Sequence, residues 1–150
     1  MSIDFYQKAI ARKIGNTFRM ATENEYDIVD FIDKWLSSDV SKRIWEENPI
    51  DIAQWAPYQL DSLLIELEEN GISLKKSDEL FPDEMYWMGY LLTYWGFDEQ
   101  ITGPELKQYD IVWIFNQYDT LHTTSIEYAI NSIKEHHEYE QNKKEILNKE

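Results

Sequence analysis

Apolar residues recur at three- and four-residue intervals along most of this chain, which is the period of amphipathic helices rather than the alternation of strands. Ile3, Tyr6, Ile10 and Ile14 form the first run, and Gly15-Asn16 supplies a stop signal, predicting a short helix over 3–14. Ile28, Val29, Ile32, Trp35 and Leu36 make the stripe of a second helix, with Asp27, Asp30 and Asp33 along another face. Ser38-Asp39 caps a further turn or two carrying Val40, Ile44 and Trp45, until Asn48-Pro49 breaks the chain. Leu60, Leu63, Leu64 and Leu67 mark a helix that opens near Pro57 and ends at Asn70-Gly71.

Residues 72–81 have no clear period and read as a linker between an acidic N-terminal half, 1–71, and a C-terminal half, 82–139. Pro82-Asp83-Glu84 opens an aromatic helix reaching about Trp95, with acids in its first turn as the helix dipole favours. Thr102-Gly-Pro-Glu105 and Thr124-Ser-Ile-Glu127 read as capping boxes. Ile111 to Phe115 suits a helix or a buried strand, and the lack of a partner strand favours the helix. The last predicted helix places Ile126, Ala129, Ile130 and Ile133 on one face, and 140–150 is a polar tail, an exposed helical extension or a frayed end. These elements predict an all-α protein, a compact bundle of roughly six to seven helices with two distantly similar halves.

Composition adds a partner and removes several chemistries. The 150 residues carry a formal net charge of -15, and residues 23–69 alone hold thirteen Asp and Glu against three Lys and Arg. Such a field repels phosphate backbones and attracts basic surfaces, so a protein with a basic face is the expected partner and direct nucleic-acid binding is not expected. Aromatics are 15% of the chain, more than a small core needs, which leaves rings for an interface. Tyr86, Tyr90 and Tyr94 fall on one stripe, beside another of Trp87, Leu91 and Trp95.

The chain has no cysteine, and His122, His136 and His137 lack metal-ligand spacing, so no metal and no cofactor is expected. The five glycines are dispersed and form no nucleotide loop. The N-terminus has no signal-peptide core and no stretch is long and apolar enough for a membrane span, giving cytoplasmic residence as the expectation. His122 lies in the polar turn Tyr118 to Thr123, either as a contact group near neutral pH or as a structural group satisfying backbone at a helix entrance.

Several motifs carry a resemblance: Met85-Tyr86-Trp87-Met88-Gly89-Tyr90, then Thr102-Gly-Pro-Glu105, Tyr118-Asp-Thr-Leu-His-Thr123, and Glu127-Tyr128-Ala-Ile130 with Ile133. In these residues the stretch from 85 to 137 resembles a small bacterial family encoded beside ADP-ribosyltransferase-like toxins. The resemblance implies a non-enzymatic antitoxin or immunity-type protein that neutralises a partner by direct contact, with Tyr118, Asp119, His122 and Thr123 at the matching positions. Residues 1–80 lie outside it, and Trp113 and Phe115 are bulkier than the family pattern.

The expected binding residues are therefore Tyr118, Asp119, His122 and Thr123, the acids Asp27, Asp30 and Asp33, and the rings Tyr86, Tyr90 and Tyr94. Two other readings follow from the same acidity. One is a phage- or mobile-element-encoded inhibitor that mimics nucleic acid and blocks a DNA- or RNA-binding protein such as a nuclease. The other is a small hydrolase that uses two carboxylates.

Overall fold

The computed structural model describes residues 3–148, and its regular elements among these are all helices, with a single isolated bridge between Tyr26 and Lys76. The helices are α1 Phe5–Glu23, α2 Ile28–Leu36, α3 Asp39–Trp45, α4 Pro49–Ile52, α5 Ala56–Glu69, α6 Pro82–Glu99, α7 Gly103–Leu106, α8 Ile111–Asn116, α9 Tyr118–Leu121 and α10 Ile126–Asn148. Ten described helices exceed the six to seven expected because α4, α7 and α9 are single turns of four residues. The chain divides after Gln108 into two compact units, one holding α1–α7 and the other α8–α10. Two matched halves joined at 72–81 are therefore not what forms, and α6 belongs with α1–α5.

In the first unit the largest helix contact is between α1 and α6. Gly15 does not stop α1, which continues to Glu23. It is instead the point of closest approach: a β-carbon at Gly89 would stand 2.8 Å from the Ile14 carbonyl oxygen and 2.9 Å from the Gly15 Cα. Helix α6 runs past the expected end near Trp95 to Glu99, and at Gly96 the Trp45 indole lies where a β-carbon would be, its Nε1 donating to the Thr93 carbonyl at 3.1 Å.

A run of edge-to-face rings links α1, α2 and α3: Phe18 meets Phe31 at 5.1 Å and Trp35 at 5.0 Å, and Trp35 meets Trp45 at 5.2 Å. In α2 the buried face is Phe31, Ile32, Trp35 and Leu36, while Val29, expected in the stripe, is exposed.

Four of the described helices, α1, α3, α5 and α6, end in a left-handed residue, which is glycine only after α5. At the end of α1, Tyr26 N–H donates to the Ala21 carbonyl and Glu25 N–H to that of Thr22, with Glu25 at φ 65°. Glu47 after α3 and Gln100 after α6 hold φ 53° and 55° at the same position, and Gly71 after α5 holds 70°. These are Schellman-type ends, in which glycine is the residue of least strain.

The segment expected as a linker is a strap within the first unit. Asp27 N–H donates to the Lys75 carbonyl at 2.9 Å, Ser77 N–H to that of Glu25 at 2.8 Å, and the Lys76 ammonium sits 4.0 Å from the centre of the Tyr26 ring.

In the second unit, Asp110 caps α8 by accepting from Trp113 N–H at 3.0 Å. The cap of α10 is Ser125, whose Oγ accepts from Tyr128 N–H at 3.1 Å, one residue later than the expected box at Thr124. Thr124 instead donates its hydroxyl to the Leu121 carbonyl. Ile114, Leu121, Ala129, Ile130 and Ile133 form the small core, and α10 continues as an exposed helix through Asn148.

Candidate functional site

The three acids of α2 are committed to the fold. Asp27 caps the helix by accepting from Asp30 N–H at 3.0 Å. Asp30 accepts from Lys75 N–H at 2.8 Å and pairs with the Lys34 ammonium at 3.0 Å. Burial pushes the Asp30 carboxyl upward, but the Lys75 amide and the Lys34 ammonium outweigh it and hold it below the usual carboxylate range. Lys34 is correspondingly held above its ordinary value, chiefly by its hydrogen bond to Asp30. Asp33 pairs with Lys107 at 3.0 Å and Lys34 at 3.4 Å. This face is cross-braced, with Asp30 and Asp33 ion-paired and Asp27 held as a cap, and is not the open acidic stripe expected from spacing alone.

The tyrosine stripe is also mostly internal. Tyr86 and Tyr90 stack at 6.5 Å, with the Arg19 guanidinium 4.9 Å from the Tyr86 ring, and both are half-buried. Tyr94 is only 2% exposed and is a core residue, which removes it from a candidate surface.

The turn from Tyr118 to Thr123 is formed by α9. Asp119, His122 and Thr123 are exposed. The His122 ring lies 4.1 Å from that of Tyr118, and its Nδ1 sits 2.6 Å from the Tyr118 carbonyl oxygen. The motif therefore closes on itself as a capped turn, while Asp119 and Thr123 keep open side chains.

The other two histidines follow the same rule: His136 stacks flat on Trp113 at 3.7 Å, and His137 meets Tyr109 at 4.7 Å. All three histidines of the chain thus pack against aromatic rings of the second unit. Among the described residues no group of three or more His, Asp or Glu side chains converges to hold a metal ion.

Large exposed apolar side chains also gather along α5 and its N-cap, as Phe5 and Tyr6 do at the start of α1. Trp55 is 74% exposed, Tyr58 60% and Ile65 57%. With Ser62 they fall three, four and three residues apart, on the face opposite the buried Leu60, Leu63 and Leu67.

The backbone that presents Trp55 is pinned on several sides. Lys13 donates its ammonium to the Ile52 carbonyl, Gln59 donates its amide to that of Asp51, and Thr17 donates its hydroxyl to that of Ala56 at 3.3 Å. Arg43 pairs with the Asp51 carboxylate at 3.1 Å. Burial lowers the Lys13 ammonium below its ordinary value.

The stretch 44–74 has seven acids and no Lys or Arg. Of these acids, Asp51 is paired with Arg43 and Glu66 accepts from the Asp39 and Val40 N–H groups at the start of α3, while Asp61, Glu68 and Glu69 are exposed along the same helix. Sequence reading assigned α5 its leucine face and missed the outward one. The signal was a second period, Trp55-Tyr58-Ser62-Ile65, interleaved with the first.

No described helix is long and apolar enough to cross a membrane. Comparison of the chain with family models, with curated proteins and with solved structures gave no match, so the toxin-linked resemblance of residues 85–137 stands on its motif residues alone.

Proposed function

We propose that this chain is a non-enzymatic binding protein that neutralises a basic partner protein by direct contact, in the manner of an antitoxin or immunity protein. The observation that carries the reading is Trp55: a ring 74% exposed on a backbone held by three side-chain hydrogen bonds to carbonyls, within an acidic surface. A large exposed ring on a backbone already held in place costs less main-chain freedom on association, as suits an interface anchor. An ADP-ribosyltransferase-like toxin is the partner class that the resemblance adds.

Affinity capture from the native host tests the reading. The expected result is a stoichiometric basic protein whose own activity is suppressed by the chain and whose capture weakens at high salt. Recovery of no such partner contradicts it, and competition of the captured partner by DNA identifies nucleic-acid mimicry as the mode of neutralisation.

A further inference from the structure

Helix α5 is amphipathic in an unusual sense, because the face turned away from the core is apolar in part. Its inner face buries Leu60, Leu63 and Leu67. Its outer face runs Trp55, Tyr58, Ser62 and Ile65, with the exposed carboxylates of Asp61, Glu68 and Glu69 on its flanks. Nothing in the folding of α5 requires the outer rings. Trp55 sits at the N-cap position with no side-chain capping bond, and Tyr58 and Ile65 leave more than half of their surface to water. Three large apolar side chains left in water on one helix face are the composition of a contact surface.

Charge decides what that surface takes. Asp61, Glu68 and Glu69 make no ion pair among the described residues, and Arg43, which lines this surface beside Ser62, Ile65 and Glu69, is already paired with Asp51. A second copy of the chain docking by the same face would bring carboxylates against carboxylates. A membrane with anionic headgroups would be repelled in the same way. A cationic protein surface with an apolar centre satisfies both features, burying the rings while its Lys or Arg side chains meet Asp61, Glu68 and Glu69.

We propose that the outward face of α5, centred on Trp55, Tyr58 and Ile65, is the docking face for a cationic protein surface with an apolar recess. This rests on the protein-binding reading above and adds where the contact is made. Hydrogen bonds to the Asp51, Ile52 and Ala56 carbonyls hold the backbone on both sides of Trp55, and the helix sets the spacing of Tyr58 and Ile65.

The test is an NMR titration of the isotopically labelled full chain with a synthetic amphipathic Lys/Leu helical peptide, and with its Glu/Leu counterpart as control. The Lys/Leu peptide should shift amide signals over 55–69 and the Trp55 indole N–H, with the effect reduced by salt. Trp55→Ala and Ile65→Ala should each weaken binding by about tenfold. Both residues are exposed, so an unchanged thermal midpoint is expected in each, and Asp61→Asn with Glu69→Gln gives an independent loss through charge.

Shifts centred on α2 or on the turn from Tyr118 to Thr123, equal binding of Trp55→Ala, or equal binding of the Glu/Leu peptide would each overturn the proposal. So would dimerisation through α5 without peptide, which would assign the face to a second copy. The two readings fail separately. Peptide binding at α5 with no stoichiometric partner in the host removes the neutralising function and leaves the face, whereas a captured partner indifferent to the α5 variants removes the face and leaves the function.

Discussion

Gly15 and Gly89 meet at the crossing of α1 and α6 so closely that a β-carbon on Gly89 would lie 2.9 Å from the Gly15 Cα and 2.8 Å from the Ile14 carbonyl. Both residues are buried within helices, where glycine is normally a weakness of about 1 kcal/mol relative to alanine. Here two of the three nearest atoms are backbone, which cannot swing aside, and the third belongs to the buried Phe18 ring. Gly89→Ala is expected to destabilise the protein by about 1–3 kcal/mol despite the better helix propensity of alanine. Urea unfolding measures this, and a gain in stability would show that the helices do not cross at these residues.

The helix ends offer the opposite sign. Glu25, Glu47 and Gln100 hold left-handed backbone, which L side chains adopt at a cost. Glu25→Gly, Glu47→Gly and Gln100→Gly should each stabilise the fold by about 0.5–1 kcal/mol, and Gly71→Ala should destabilise it by a similar amount. Thermal unfolding of the four variants, compared as a set, checks whether the sign follows the backbone and not the residue type.

Asp30 gives a pH dependence. Its folded carboxyl lies below its ordinary value, so its contribution is present above about pH 4, the unfolded value, and is lost as pH falls through the folded one. Lys34 is raised, so its share is present below about pH 10.4 and is lost as pH rises through its folded value. Asp30→Asn should cost about 1–2 kcal/mol at neutral pH, since it weakens bonds to Lys75 N–H and Lys34, and should flatten the acid limb of stability against pH. An acid limb identical to that of the parent would mean that Asp30 does not contribute to it.

The flat stack of His136 on Trp113 ties α10 to α8. Trp113→Ala is expected to remove about 0.5–1.5 kcal/mol of ring pairing on top of lost burial, and to speed amide hydrogen exchange in both helices. Unchanged exchange in α10 would show that the stack does not hold it.

The sequence carried the helices with one clear period and explicit caps. Ser38 caps α3 by accepting from Ser41 N–H, and the Glu105 carboxylate at the start of α7 accepts from both the N–H and the hydroxyl of Thr102. Glu105 is held below its ordinary value by its own backbone N–H and by Thr102, as a carboxylate at a helix start should be.

Helix ends were less legible, because the glycines that usually mark them are used for close packing at positions 15, 89, 96 and 103, while glutamate and glutamine take the turns. The acids of α2 were visible as a stripe, but their partners Lys75 and Lys107 come from far along the chain and spacing could not supply them. On α5 the opposite occurred. Leucine periodicity drew attention to the buried face and hid the second stripe of Trp55, Tyr58 and Ile65.

The most direct measurement is the affinity of the captured partner for the wild-type chain and for Trp55→Ala, determined by calorimetry with Tyr139→Phe, exposed on α10 of the second unit, as a control. A loss of about tenfold or more for Trp55→Ala, about 1.4 kcal/mol, with little change in the control, is the predicted result. Equal affinity of wild type and Trp55→Ala would contradict a contact built on the outward rings of α5.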